Sequence, residues 1–256
     1  MKLRRGLVSA ARPWKAEPMK VSDPNAVPPG IVVLYSDNHL VVIDKPAGLL
    51  CQGGVGGDDN ALERVREWIR LTCNKQGNVF VGLVHRLDRN TSGVVIFART
   101  SKAASRLSDL FAGRGGARID KRYLAAVAGR TPPSGHLVHE LVEHEQGVRV
   151  APGGKKAELR FVTLATAADA SLVEVELLTG RKHQIRAQFA AAGHALLGDH
   201  RYAPRPVAAR FWRPALHAAS IALEHPVRHD ELRVSAPLPS DLAELLRREH
   251  LSLPNA

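Results

Sequence analysis

Val79 to Arg99 reads VFVGLVHRLDRNTSGVVIFAR, and the fold is decided in this stretch. Two apolar runs, Val79–Val84 and Val94–Ala98, have the length and the Val, Phe and Ile content of buried strands. Between them lies His85-Arg86-Leu87-Asp88-Arg89-Asn90-Thr91-Ser92-Gly93, charged and turn-forming. A loop held at both ends by core strands can fix a reactive side chain while leaving it open to a partner. Asp88 is the candidate, because Arg86 and Arg89 flank it with positive charge and an ionised, positioned carboxylate can serve as nucleophile or base. From composition alone, an Asp capping a turn from Asn90 to Gly93 is the commoner reading.

The nine residues HRLDRNTSG resemble the catalytic motif of the RluA family of pseudouridine synthases, in which the Asp of HRLD is essential. That resemblance implies that Asp88 is catalytic and that Arg86, beside it, fills the space a flipped base leaves. Upstream, Ile31–Tyr35 and Leu40–Asp44 read as strands joined by a turn at Ser36-Asp37-Asn38. The second runs into Lys45-Pro46-Ala47-Gly48-Leu49, which matches the family's KPxG stretch and whose Pro and Gly make a sharp, structural turn. Gly53-Gly54-Val55-Gly56-Gly57 lacks the ending of a phosphate-binding loop and reads as a flexible connection. Leu62, Val65, Trp68 and Ile69 recur at helical spacing over Ala61 to Leu71.

Downstream, Ser101 is expected to cap a helix reaching about Ala112. The connector Gly113 to Arg118 reads either as a helix stop or as a mobile cationic loop beside an RNA groove. Ile119–Ala128 is an expected strand carrying Lys121-Arg122-Tyr123, and the family's K-x-Y element at this place implies that Tyr123 lies against the target base and helps remove the C5 proton. Leu137–Val142, Ala157–Leu164 and Leu172–Leu178 alternate apolar with polar residues, as half-buried antiparallel strands do. Arg149, Lys155 and Lys156 add positive charge there.

Thr179-Gly180-Arg181-Lys182-His183-Gln184-Ile185-Arg186 matches the family's TGRxHQ[IL]R motif. Thr179 is expected to cap a helix whose first turn projects Arg181 and Ile185 from one face. By resemblance, Arg181 pairs with Asp88 and Ile185 supports the bound uracil; without it, Ile185 is plain core and His183 a structural histidine. Gly198-Asp199-His200-Arg201-Tyr202 continues the pattern as G-D-x-x-Y, and Leu216-His217-Ala218 resembles the closing strand. His194, His200 and His217 lack metal-site spacing, so no metal and no cofactor are expected. Asp241 to Glu249 is a final short helix.

The 256 residues are 45% hydrophobic without a membrane-length apolar run, and Lys plus Arg number 36 against 25 Asp plus Glu, a formal charge of +11. That imbalance points to a polyanionic partner, nucleic acid above all, and away from an enzyme of small metabolites. Cys51 and Cys73 form neither a disulfide framework nor a thiolate metal site and suit a reducing compartment. Residues 1–30 hold five prolines, with Lys2, Arg4, Arg5, Arg12, Lys15 and Lys20 against Glu17 and Asp23, a basic and flexible arm. No secretory signal is expected there; a mitochondrial presequence is the alternative to an RNA-binding arm. Such an arm leaves no room for the small RNA-binding domain that many family members carry at this end.

The expected architecture is α+β: a catalytic domain over 31–256 with a bent, mainly antiparallel mixed sheet and flanking helices. The expected function is isomerisation of specific uridines in rRNA or tRNA to pseudouridine by a cytoplasmic monomer, without metal, cofactor or membrane. Two rivals are a non-catalytic basic RNA-binding protein on the same fold, and a hydrolase or nucleotide-binding enzyme using the Gly loop and histidines. The first has no need of Asp88, Tyr123 and Arg181 together, and the second lacks a complete motif.

Overall fold

The computed structural model describes residues 30–53, 59–74, 76–114, 119–145 and 147–253. Its elements run in the order β1 (Val32–Ser36), β2 (Leu40–Lys45), α1 (Ala61–Thr72), β3 (Gly82–Leu83), β4 (Ser92–Ala98), α2 (Ser101–Phe111), β5 (Asp120–Ala128) and β6 (Ser134–His144). There follow β7 (Gly147–Val150), β8 (Lys155–Thr166), β9 (Ala170–Leu177), α3 (Gln184–Ala191), α4 (Arg205–Ala208), β10 (Leu216–Glu224), β11 (Glu231–Ser235) and α5 (Ser240–Arg248). One sheet takes them in the order β1-β2-β4-β10-β5-β9-β8-β6-β7, with β11 beside β10 and β3 beside β4. All these pairings are antiparallel except β4 with β10, where Ser92 and Gly93 lie beside His217 and Ala218. The α+β expectation of a mainly antiparallel mixed sheet holds. The 1–30 arm lies outside the described residues except for Gly30, as do most of the 53–57 Gly loop and residues 115–118 of the basic connector.

Helices cover both faces, and this is why the central strands are apolar without alternation. Val41, Ile43, Val95 and Phe97 pack toward Leu62, Val65 and Ile69 of α1. Their neighbours Leu40, Val42, Val94 and Ile96 pack toward Ala103 and Leu107 of α2. In the other half of the sheet, Leu159, Phe161 and Val175 meet Ile185 and Phe189 of α3, while Leu172 and Ala126 meet Leu242 and Leu245 of α5. Tyr123 packs against both the α1 and the α3 cores, at the seam between the halves.

The seam needs a glycine. At Gly93 φ is +114°, and a Cβ there would fall 2.2 Å from the Ala218 carbonyl oxygen, so only Gly lets β10 close against β4. Val79–Val84 yields far less strand than its composition predicts: only Gly82 and Leu83 pair, with Ala98 and Phe97. On that edge of β4, Ser92 and Gly93 are taken by β10 and the Ile96 N–H by the His85 ring, and Val79 and Val81 instead bury their side chains under α1.

Candidate active site

The loop before β4 lies outside the regular sheet ladder, so its polar backbone groups need individual partners. Buried Lys45, at the end of β2, donates from Nζ to the carbonyls of Pro46 at 2.9 Å, Leu49 at 2.8 Å and Arg89 at 3.1 Å. Burial pulls its pKa down to about 8. Gly48 N–H also donates to Arg89 O at 2.9 Å, and Arg89 Nε donates back to Gly48 O at 3.0 Å. The structural role read for the KPAGL turn is therefore a clamp on the loop. Leu87 N–H donates to Cys51 Sγ at 3.2 Å, and burial pushes the Cys51 thiol up.

A second buried cation holds the other side of the loop. Arg213 donates Nη1 to Asn90 O at 3.3 Å and Leu216 O at 3.1 Å, while Nε and Nη2 grip Asp241 of α5 at 2.7 and 2.9 Å. His85 Nε2 accepts the Ile96 N–H at 2.9 Å, a donor on the crowded edge of β4. Its ring stacks on Phe111 at 4.3 Å, and burial with the nearby Lys121 charge drives its pKa down to about 3, so it is neutral.

Asp88 emerges from this frame between β4 and α3. Arg186 Nη1 donates to Asp88 Oδ2 at 2.9 Å, and His183 Nε2 stands 3.6 Å from the same oxygen. Arg186 is itself fixed: Nε and Nη2 form a fork on the buried Asp199 carboxylate at 2.7 and 2.9 Å, and the guanidinium lies over the Tyr202 ring. Burial works against its charge, but Asp199 and Asp88 outweigh it and raise its pKa. His183 precedes α3 with φ of 51°, a left-handed conformation unusual outside glycine and met at constrained functional positions. Its Nδ1 lies 2.8 Å from Tyr202 Oη, and that hydroxyl accepts the Val148 N–H at 3.0 Å.

These groups open on a cavity of ≈ 380 Å³ lined by Asp88, Arg86, Tyr123, Arg181, Ile185 and Arg186, among others. The five residues named from sequence thus share one cavity, of a size for a small organic group. The Tyr123 hydroxyl has no hydrogen-bond partner among the described residues, and burial with the neighbouring Asp88 charge raises its pKa. Among the described residues, no group of three His, Cys, Asp or Glu side chains is placed to hold a metal ion. His194 and His217 bind Ala128 O and Ser92 Oγ instead.

A family model described as RNA pseudouridylate synthase matches residues 39–191. The chain belongs to that family. Ribosomal large subunit pseudouridine synthase D of Zymomonas mobilis is 32% identical over 242 residues, spanning 88% of this chain and 74% of that one. Ribosomal large subunit pseudouridine synthase C of Vibrio cholerae is 35% identical over 224 residues, 84% of this chain and 68% of that one. The human RNA pseudouridylate synthase domain containing 4 shares the fold with a TM-score of 0.71 at 24% identity, over 87% of this chain and 94% of that one.

Within this RNA pseudouridylate synthase, one expectation about the site needs correcting. Arg186, not Arg181, pairs with Asp88; Arg181 is exposed and donates Nε to Lys156 O at 3.1 Å. The cause is where the helix starts. Thr179 does not cap it: its hydroxyl accepts from Glu158 N–H at 2.8 Å and donates to Gln184 Oε1 at 2.7 Å, and α3 begins only at Gln184. Arg181 is left in the approach loop while Arg186 falls in the first turns. Asp199 and Tyr202, quoted from sequence only as pattern, anchor Arg186 and His183. A second Arg ending the motif, followed by an Asp in a G-D pair, was the available signal.

Proposed function

We propose that this enzyme converts uridine to pseudouridine in ribosomal RNA, with Asp88 as its catalytic residue. The supporting observation is the set Asp88, Arg186, Tyr123 and Ile185 around one cavity, in a chain of this family whose relatives include proteins named ribosomal large subunit pseudouridine synthases. The reaction is an isomerisation. The N1–C1′ bond breaks, the uracil turns, C5 bonds to C1′, and the proton leaving C5 is balanced by one gained at N1, so no co-substrate is consumed.

A stacked or paired uridine cannot reach a recessed carboxylate, so the nucleotide is flipped into the cavity, and exposed Arg86 at its rim is placed to fill the vacated space. Ile185 offers an apolar wall for the uracil face. Asp88 acts at C1′ or at uracil C6, held by Arg186 so that its attacking geometry needs little reorganisation. Tyr123, with its free hydroxyl, serves the C5 proton transfer. Arg181, exposed beside Lys156 and Lys182, contributes positive charge for RNA rather than orientation of Asp88. An rRNA substrate supports a cytoplasmic place of work.

Mapping pseudouridine by mass spectrometry in total RNA from a strain lacking the gene, before and after incubation with purified protein, tests this reading. New pseudouridine in rRNA is expected. Modification confined to tRNA would reassign the substrate, and none in either would remove the proposal.

A further inference from the structure

Nearly every charge lining the catalytic cavity and the groove beside it has a partner. Arg186 holds Asp88 and Asp199, Arg181 donates to Lys156 O, and Arg160 and Arg233 face Glu176 and Glu231. The acids of the ≈ 1040 Å³ groove are matched too: Asp120 by Arg122, Glu158 by Lys156 and His136, Glu224 by His229. Lys121 is the exception. Mostly withdrawn from solvent, it makes no hydrogen bond or ion pair among the described residues, and it lines both the cavity and the groove. Arg86 too has no partner among the described residues, but it is exposed and solvated. The neutral His85 ring near Lys121 offers no counter-charge.

Position narrows what Lys121 can meet. Lys121 and Tyr123 are alternate residues of β5 and point to one face, about 7 Å apart at strand rise. Tyr123 reaches toward Asp88 and the deep end of the cavity, whereas Lys121 shares the outer groove with Ile119 and Asp120. A sequestered ammonium without a partner is costly, and an arriving anion removes that cost. Burial also lowers its pKa, which marks the same unmet desolvation.

We propose that Lys121 binds a phosphodiester of the substrate RNA next to the flipped nucleotide, at the mouth where the cavity opens into the groove. This rests on the RNA-modifying function above. It makes Lys121 a substrate-binding residue, separate from the group that reacts. The ammonium draws the strand to the mouth and is neutralised by it, so docking of the strand and relief of the buried charge occur together.

The test uses the full chain and an rRNA transcript that the wild type modifies; a wild type that modifies none would overturn the underlying reading and this inference with it. Lys121→Met keeps the stem and removes the charge, and Lys121→Arg keeps the charge. For Lys121→Met, RNA affinity should fall about tenfold and the slope of log affinity against log salt should drop by about 0.7, the value for one single-strand phosphate contact. Its single-turnover rate at saturating RNA should stay within about threefold of wild type, and Lys121→Arg should restore the slope. A transcript with one neutral methylphosphonate beside the target should weaken the wild type and leave Lys121→Met unaffected. With an active wild type, an unchanged salt slope in Lys121→Met would overturn the proposal. So would a large loss of saturated rate without loss of affinity, which would place the amine on the base instead.

Discussion

Arg186 spans two carboxylates: Nη1 reaches Asp88 Oδ2 at 2.9 Å while its other edge forks onto Asp199 at 2.7 and 2.9 Å. Because Asp199 is buried and also accepts the Arg201 N–H at 3.1 Å and the Tyr202 N–H at 3.3 Å, the guanidinium is fixed before Asp88 uses it. The catalytic carboxylate is thus positioned by a side chain that has almost no freedom of its own.

Arg186→Lys should therefore be far more damaging than Arg181→Lys. Lysine keeps the charge and cannot make the fork, so the single-turnover rate is expected to fall at least about 100-fold. Arg181→Lys should leave that rate within about threefold of wild type, since its Nε bond to Lys156 O lies away from Asp88. Comparable losses in the two variants would contradict the assignment.

Tyr123→Phe separates packing from chemistry. The ring stays between the two cores while the unpartnered hydroxyl goes. The fold should melt at nearly the wild-type temperature, and turnover should drop by roughly 10²–10⁴, the usual range for a general acid–base group. Wild-type turnover would show that the proton leaves C5 by another route.

The clamp on the loop is open to a stability measurement. Arg213→Ala leaves the half-buried Asp241 without its guanidinium and frees the Asn90 carbonyl. Breaking one side of a buried pair costs on the order of 3–5 kcal/mol, which urea denaturation would register. A loss below about 1 kcal/mol would mean that water replaces the clamp readily.

Acid stability reports on His85. Its folded pKa of about 3 lies below the ordinary 6.5, so between those values the unfolded chain binds more protons and stability falls as pH drops. His217, lowered to about 4 by burial, adds to the same trend. His85→Gln retains an acceptor for the Ile96 N–H and loses the titration. Subtracting its pH profile from that of the wild type should leave a slope approaching about 1.4 kcal/mol per pH unit between roughly pH 6 and 4. Parallel profiles would show that His85 does not titrate in that window.

Much of this was legible in the residues. Leu40–Lys45 and Ser92–Ala98 lie between helices on both faces, and their unbroken apolar runs say so. Asp88, Tyr123 and Ile185 sit in short motifs that no packing argument had to supply. Arg186 was hidden because two arginines five residues apart belong to one motif, and which faces Asp88 depends on the residue at which the helix begins. Thr179 has the chemistry of a cap and spends it on Glu158 and Gln184. Among the described residues, the strand Gly147–Val150 pairs only with β6, and Glu231–Ser235 only with β10. Each follows its partner directly in the chain, yet a segment of four or five residues carries too little periodicity to be read as a strand at all.

The central claim is that Asp88 performs the isomerisation. Its most direct test is pseudouridine formation by Asp88→Asn under single-turnover conditions on an rRNA transcript that the wild type modifies, with RNA affinity measured alongside. The amide keeps the shape of the carboxylate but is a far poorer nucleophile and base, so affinity should hold within a fewfold while no pseudouridine accumulates. Turnover at a rate near that of the wild type would contradict the account.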